Sequence, residues 1–236
     1  MSARRIGAIV RKELREYRRN RSVVVTMAII PLIFSIQPLV AVLGLAASAA
    51  LAREHVLLYM LGIPTLVPLL VAGYAVAGER QQATLEPVLT TPIRREEFLL
   101  AKALAAFVPS LAVAYTVFAV FLVIVAAFAH PGVAGRVLQA PDLVAQILFT
   151  PLLAGWSIWV GLSLSTRLSD VRVAQQLGII ASVPPIVVTV LIAVDVIHPT
   201  AGVALGAAAL LLGANGLGWR VASRLFDRER LITEAT

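Results

Sequence analysis

Residues 78–102 read GERQQATLEPVLTTPIRREEFLLAK and form the one sizeable charged block in the interior of the sequence. Long apolar runs precede and follow this block. The whole chain of 236 residues is 59% hydrophobic and only 14% charged, and its mean hydropathy is +0.90. Because a soluble domain is roughly one quarter charged, this composition indicates a membrane protein.

Six apolar stretches surround or follow the polar block. A helix needs about 20 residues to cross a ~30 Å hydrocarbon core, and each stretch is long enough. Continuous apolar runs favour helices over the alternating strands of a membrane barrel. The sequence therefore predicts an all-α membrane protein, with residues 1–236 forming a single transmembrane domain. The six predicted spans are about 22–49, 56–77, 103–129, 146–166, 177–197 and 201–219.

Lysine and arginine are distributed very unevenly about these spans. Eight precede the first span, four lie in the 78–102 block, two lie in the 167–176 loop and four follow the last span. On the other side lie only Arg53 and Arg136. Positive residues concentrate on the cytoplasmic side of membrane proteins, so both termini are predicted to be cytoplasmic. This placement accounts for the net charge of +7 without a nucleic-acid partner.

Residues 3–21 have the pattern of an amphipathic helix. Arginines and a lysine surround an apolar face, a pattern typical of a helix that lies in the headgroup region and contacts membrane lipids. The alternative is a simple topology anchor made of positive charge. The apolar face comprises Ile6, Ile9, Val10, Leu14 and Tyr17.

No enzymatic or metal site is predicted in this chain. A P-loop needs a lysine after a glycine, and neither Lys12 nor Lys102 follows one. No His-Glu-x-x-His motif is present, and no pair of histidines has ligand spacing, so His55, His130 and His198 are interpreted as polar residues at helix ends.

Five residues inside predicted spans are candidates for a hinge or a cavity. A proline removes a backbone donor and can kink a helix, although prolines are also common in membrane helices. Gln37 lies near the middle of the first span, where a polar side chain is costly, so we expect it to face other helices or a water-filled cavity. The four prolines are Pro31, Pro38, Pro184 and Pro185.

The polar block is predicted to contain two short helices. Thr84 can cap a helix that begins at Leu85, with Glu86 near its positive end. Thr91 and Pro92 repeat the pattern, with Thr91 as the cap and Pro92 at the first position of a helix that leads into the third span.

The first of these short helices has an exposed apolar face. Leu85, Val88 and Leu89 share this face and stand next to charged residues. Exposed apolar groups of this kind favour a docking element, while the alternative is a solvated loop between spans.

The sequence here resembles a known family. Gly78-Glu79-Arg80, the run from Ala83 to Ile93 and the closing Lys102 look like the signature of type-2 (export-type, ABC-2) ABC transporter permeases. The opening Arg11-Lys12-Glu13-Leu14, which precedes a first span with prolines, is also similar. Two positions depart from the pattern, because Ala83 and Ala101 stand where many members have glycine.

The resemblance implies an export permease with several partners. Two separate cytoplasmic ATPase subunits would bind ATP and Mg, and a second permease copy or paralogue would complete the transporter in a prokaryotic plasma (inner) membrane. The substrate path would lie at the interface of the two permeases, lined by the first, second and fifth spans. A second cytoplasmic contact would involve Arg167, Asp170 and Arg172. The coupling contacts would be Gly78, Glu79, Arg80, Thr84, Leu85, Glu86, Val88, Leu89, Thr91 and Pro92.

Two other classes of function remain open from the sequence. One is an ATP-independent secondary transporter or channel, which would favour inverted repeats and charges near the membrane midplane. The other is a membrane scaffold that transports nothing.

Overall fold

The structure is a computed structural model that describes residues 2–44, 55–81, 94–130 and 132–225. Within these ranges the chain is helical and contains no strand, which confirms the all-α prediction. The helices are α1 (Ala3–Arg19), α2 (Arg21–Gly44), a 3₁₀ segment (Val56–Leu61), α3 (Gly62–Ala75), α4 (Ala77–Gln81), α5 (Arg95–Phe128), α6 (Val133–Val137), α7 (Ala140–Arg167), α8 (Val171–Ala193) and α9 (Ala201–Leu225).

Six helical segments are long and apolar enough to cross a membrane, which confirms the predicted span count. They are Arg21–Gly44, Val56–Gln81, Arg95–Phe128, Ala140–Arg167, Val171–Ala193 and Ala201–Leu225.

The ends of several spans differ from those that hydropathy predicts. The third span starts at Arg95 rather than near residue 103, and the fourth starts at Ala140 rather than near residue 146. In both cases the helix continues through charged residues that are buried, namely Lys102 and Asp142. The fifth span (α8) ends at Ala193, before the predicted end at residue 197. It ends there because Asp195 adopts a left-handed φ of 59°.

The helix that leads into the third span does not begin at Pro92. Arg94 has an extended backbone and is the N-cap of α5, which begins at Arg95. Glu97 stabilises this start, since its Oε2 accepts a hydrogen bond of 3.3 Å from the Arg94 amide. The predicted caps Thr84 and Thr91 lie outside the described residues.

The second span is the centre of the bundle. In its most apolar stretch of 18 residues, 89% of the residues are buried, compared with 6% in the corresponding stretch of the last span. It packs against the first, third, fourth and fifth spans. The contact with α7 is close because Gly161 has no side chain, and a Cβ there would lie only 2.7 Å from the Leu69 carbonyl oxygen. Membrane helices commonly approach each other through such small residues.

A few polar and aromatic contacts hold the last span against the fourth. The Asn215 amide Nδ2 donates to the Leu152 carbonyl oxygen at 3.0 Å. Trp159 and Trp219 meet edge to face with their ring centroids 5.4 Å apart. Interhelical hydrogen bonds and packing of this kind stabilise helix pairs in lipid.

His55 joins three spans at one end of the bundle. Its ring Nδ1 lies 2.8 Å from Asp142 Oδ1 at the start of α7. Its backbone amide donates to the Ala193 carbonyl oxygen at the end of α8, at 2.8 Å. The sequence predicts only a polar residue at a helix end, and in the structure this histidine also connects the ends of two other spans.

The four candidate hinge prolines lie inside continuous helices. α2 runs through Pro31 and Pro38, and α8 runs through Pro184 and Pro185. Their role as hinges stays a prediction. The interruption that the structure does contain is in the second span, where α3 ends at Ala75 and α4 begins at Ala77, and no proline is present there.

Candidate functional site

One end of the bundle brings α4, which contains three of the predicted coupling residues, together with α1. Ile6, Ile9 and Val10 of α1 form an apolar cluster with Val76, Phe98, Leu99, Ala101 and Trp219. Val76 precedes the signature Gly78-Glu79-Arg80, and Phe98 belongs to the first turn of α5. We call this end of the bundle the basic end, because α1 alone contributes six arginines to it.

The break in the second span is held by the fourth span. The Ser165 hydroxyl oxygen of α7 accepts hydrogen bonds from two backbone amides, Val76 at 2.9 Å and Ala77 at 2.8 Å. A break of this kind leaves amides without helical partners, and such groups are costly when buried. Ser165 therefore satisfies the amide groups that the break leaves free.

Lys102 lies at the centre of the basic end and is fully buried. Its Nζ is 3.0 Å from Glu13 Oε1 of α1 and 3.0 Å from Glu79 Oε2 of α4. It also donates to the Ala75 carbonyl oxygen at the break, at 2.7 Å. The Phe98 ring covers the remaining side, with its centroid 5.0 Å from Nζ. One ammonium group thus contacts α1, α3 and α4 from its position in α5.

A second lysine completes this group of charges. Lys12 Nζ lies 2.7 Å from Glu79 Oε1 and 3.3 Å from Glu16 Oε1. We call Lys12, Glu13, Glu79 and Lys102 the charge cluster. Its two cations and two anions compensate each other, which a buried set of charges requires.

Burial shifts the pKa values of two α1 side chains, Glu13 of the charge cluster and the nearby Tyr17. Burial raises the pKa of Glu13 above its usual value, and the neighbouring Glu79 raises it further, while Lys102 and Lys12 oppose the change. Burial also raises the pKa of the Tyr17 phenol well above its usual range, and the negative charge of Glu13 adds to this. Tyr17 therefore remains neutral beside the cluster.

Three carboxylates, two of the charge cluster and that of the neighbouring Glu16, lie close together but are already paired with lysines. One oxygen from each of Glu13, Glu16 and Glu79 lies within 4.8 Å of the others. The ammonium groups of Lys12 and Lys102 contact all three carboxylates at 2.7–3.3 Å. The arrangement is therefore an internal ion-pair network, and it gives no reason to assign a metal ion here.

A second set of polar contacts joins the N-terminal end of α1 to the start of α5. Glu97 Oε1 accepts a hydrogen bond of 2.6 Å from the Ser2 backbone amide. Its Oε2 lies 3.8 Å from Arg5 Nη1 and also accepts from the Arg94 amide. Glu97 therefore caps α5 and binds α1 at the same time.

Three predicted coupling residues lie in α4. Gly78 and Glu79 are buried, and both Glu79 oxygens contact lysines of the same chain. Arg80 is half-buried, and its Nη2 donates to the Thr166 carbonyl oxygen at 3.4 Å. The other predicted residues, Thr84, Leu85, Glu86, Val88, Leu89, Thr91 and Pro92, lie outside the described residues.

The predicted second contact lies beside α4. Arg167, Asp170 and Arg172 are exposed in the turn between α7 and α8. Asp170 also caps α8, because its Oδ1 accepts a hydrogen bond of 2.7 Å from the Arg172 amide. Since Arg80 bonds to Thr166, the structure brings the two predicted contact regions to the same place.

Sequence reasoning assigned no role to Glu13, Lys102 or Ser165. The signal for Glu13 was present, because it is four residues from both Ile9 and Tyr17 and so falls on the apolar face of α1. An acid on a buried face requires a cation, and Lys102 is one of only two lysines in the chain. Ser165 carries no comparable signal, since serine is common in membrane helices.

Comparison with known protein families gives a match over most of the chain. The sequence model of a family described as "ABC-2 family transporter protein" matches residues 7–208. This range includes most of α1, the charge cluster, the polar block and five complete spans. A comparison with curated proteins gives no match.

Proposed function

The chain belongs to the ABC-2 family of transporter proteins, and on this basis we propose that it is the membrane-spanning permease subunit of an ATP-driven exporter. It moves an unidentified substrate out of the cytoplasm across a prokaryotic inner membrane, with both termini on the cytoplasmic side. Two separate ATPase subunits bind ATP and Mg, and a second permease copy or paralogue completes the assembly.

The observation that carries this proposal is the way the two ends of the polar block are fixed. Residues 82–93 connect α4 to α5, and Lys102 bonds both to Glu79 of α4 and to the carbonyl oxygen of Ala75. A docking element can pass movement to the spans only when its ends are joined rigidly to them. This arrangement supports the assignment of residues 78–92 as the coupling segment.

The proposed mechanism follows from differences in contact energy. ATP binding closes the ATPase pair, and this closure can drive the permease only when the closed form contacts the coupling segment differently in its two membrane states. The turn containing Arg167 and Arg172 lies beside α4 and provides the second contact.

The substrate path is assigned to the interface between two permeases. Gln37 of the first span is exposed on the surface of the single chain, as is much of the apolar surface of α8 in the fifth span. A glutamine at this depth in lipid is costly, so a neighbouring subunit or a wet path must shelter it. The second span is buried within the chain, and we therefore assign the lining to the first and fifth spans alone.

A secondary transporter is less well supported. Such proteins place charged groups near the midplane. Among the described residues, the buried charges of the spans lie near helix ends: Glu79, Glu97 and Lys102 at the basic end and Asp142 at the opposite one.

Co-purification tests the proposal. The wild-type chain is expressed together with the genes that neighbour its own, and we expect an ABC ATPase to co-purify. Leu85→Asp places a charge on the proposed docking face and should weaken binding by about 2 kcal/mol, or roughly 30-fold. Glu96→Gln, an exposed position in the first turn of α5 and outside residues 78–92, is the control and should retain binding.

Two outcomes would count against the proposal. If no ABC ATPase binds the wild-type chain, the permease assignment fails. If the ATPase binds the Leu85→Asp and Glu96→Gln variants equally well, the coupling segment is assigned wrongly. Glu79→Ala should also reduce ATP-driven transport, although it changes the charge cluster as well as the proposed docking surface.

A further inference from the structure

We propose that Glu13 and Lys102 are positioning residues that join α1 to both ends of the coupling segment, so that α1, α4 and the first two turns of α5 move as one body. This inference rests on the proposed function for the meaning of the segment, but the contacts themselves lie within the described residues.

The first step is the position of the Lys102 ammonium group. It lies two turns into α5 and contacts α1 through Glu13 and α4 through Glu79, each at 3.0 Å. Residues 82–93 follow α4 directly and precede Arg94, the N-cap of α5. A single buried cation therefore fixes the separation between the two ends of that segment and also attaches α1 to them.

The second step concerns why charges occupy this position. Packed apolar residues often stabilise a fold as well as a buried ion pair does, whereas charges and hydrogen bonds fix one relative arrangement of the groups. Glu13, Glu79 and Lys102 are 2%, 5% and 0% exposed. Sliding α1 along α5 would leave a buried charge without its partner, so the cluster selects one register.

The third step is that α1 has two further attachments to the same ends. Glu97 of α5 accepts a hydrogen bond from the Ser2 amide. Ile9 belongs to the apolar cluster that contains Val76 beside α4 and Leu99 of α5. Both contacts lie on the N-terminal side of Glu13, at Ser2 and at Ile9, so α1 is attached at several points along its length and cannot simply pivot about one.

Distance measurements between spin labels test the proposal in the full-length chain. The chain contains no cysteine, so labels can be placed at Gln81→Cys and Glu96→Cys, two exposed positions at the ends of the segment. Labelled chains are diluted with unlabelled ones, so that double electron–electron resonance reports distances within one chain. The wild-type background should give a narrow distance distribution.

Removal of the shared cation should broaden this distribution. Lys102→Met is expected to widen it about twofold, because the ends of the segment then open locally. It should also lower Tm by about 10 °C, since Glu13 is left buried with one fewer cation. Glu16→Gln is the matched control: it also removes one charge next to the cluster, but this is an exposed carboxylate that contacts Lys12 and not Lys102. It should leave the width unchanged.

A charge-balanced variant separates positioning from stability. Glu13→Gln combined with Lys102→Met leaves the Lys12–Glu79 pair, so no unpaired charge is buried and Tm should recover by about half. The distribution should remain broad, because the link between α4 and α5 is still absent. This double variant also keeps the test informative if Lys102→Met alone does not fold.

The proposal is overturned if the charge-balanced variant is folded and its distance distribution is as narrow as that of the wild type. It is also overturned if Glu16→Gln broadens the distribution as much as Lys102→Met does. Neither result depends on an ATPase. Failure of ATPase co-purification would therefore remove the proposed function without changing the distances, and the two failures can be distinguished.

Discussion

Ser157 and Ser165 lie about two turns apart in α7, and both side chains are fully buried. They differ in what their hydroxyl groups do. Ser165 accepts hydrogen bonds from the Val76 and Ala77 amides, whereas the Ser157 hydroxyl has no hydrogen-bond partner among the described residues. We predict that Ser165→Ala destabilises the chain by about 1–3 kcal/mol, because two buried amides lose their acceptor. Thermal unfolding in detergent measures this effect.

Ser157→Ala is the control for this prediction. It removes a hydroxyl of the same size from the same helix without removing a hydrogen bond, so its effect on stability should be close to zero. Equal losses in the two variants would show that the break in the second span does not depend on Ser165.

At the scale of residues, the sequence shows that a buried charged side chain is present, but it does not show which residues that side chain contacts. The position of Glu13 on the apolar face of α1 could be recognised from spacing alone. Its partners could not, because Lys102 and Glu79 are 89 and 66 positions away and meet Glu13 only after three helices pack together. The sequence therefore indicates that a buried acid needs a cation but does not identify which cation supplies it.

At the scale of elements, α1 combines a packed face with a basic one. Ile9, Glu13 and Tyr17 are buried against the bundle, while Arg11 and Arg15 are exposed. Asn20 is the only residue between α1 and α2, so α1 remains level with the end of the first span. A negatively charged lipid surface attracts such arginines with about 1 kcal/mol each.

We predict that Arg11→Gln combined with Arg15→Gln reduces the anionic lipid bound by the chain. The enrichment of phosphatidylglycerol over phosphatidylcholine, retained on the protein purified from mixed vesicles, should fall severalfold. Glu16→Gln on the same helix removes a negative charge instead and should not lower the enrichment. If both variants lower it equally, α1 does not meet the headgroups through its arginines.

Hydropathy predicts that a span exists more reliably than it predicts where the span ends. All six spans were recognised, but α5 and α7 begin several residues before their apolar runs. Their first turns contain charged residues that are buried in ion pairs or hydrogen bonds, and a hydropathy profile treats these residues as exposed. The break at Val76 was also missed, because a serine on another helix stabilises it and no proline marks it.

At the scale of the whole molecule, a second copy of the chain would cover the exposed face of the first span under the proposed function. We predict that Gln37→Cys forms a disulfide-linked dimer in membranes, visible by gel electrophoresis without reductant. The cysteine-free background makes this dimer unambiguous, provided that the two Cα atoms approach within about 7 Å. The control is Leu205→Cys on α9. Leu205 is 71% exposed but has no polar group that a partner must bury, so this variant should remain monomeric. Efficient crosslinking only at Leu205→Cys would place the interface on the last span instead.

The small buried fraction of the last span has a consequence for how the protein is made. The second span is enclosed by four neighbours, and all of them are synthesised before α9. Helices in a bilayer can first insert and then associate. The central packing, the break at Val76 and the charge cluster can therefore all form before α9 is translated. The last span then docks onto a finished surface of α7, through Asn215 and the two tryptophans.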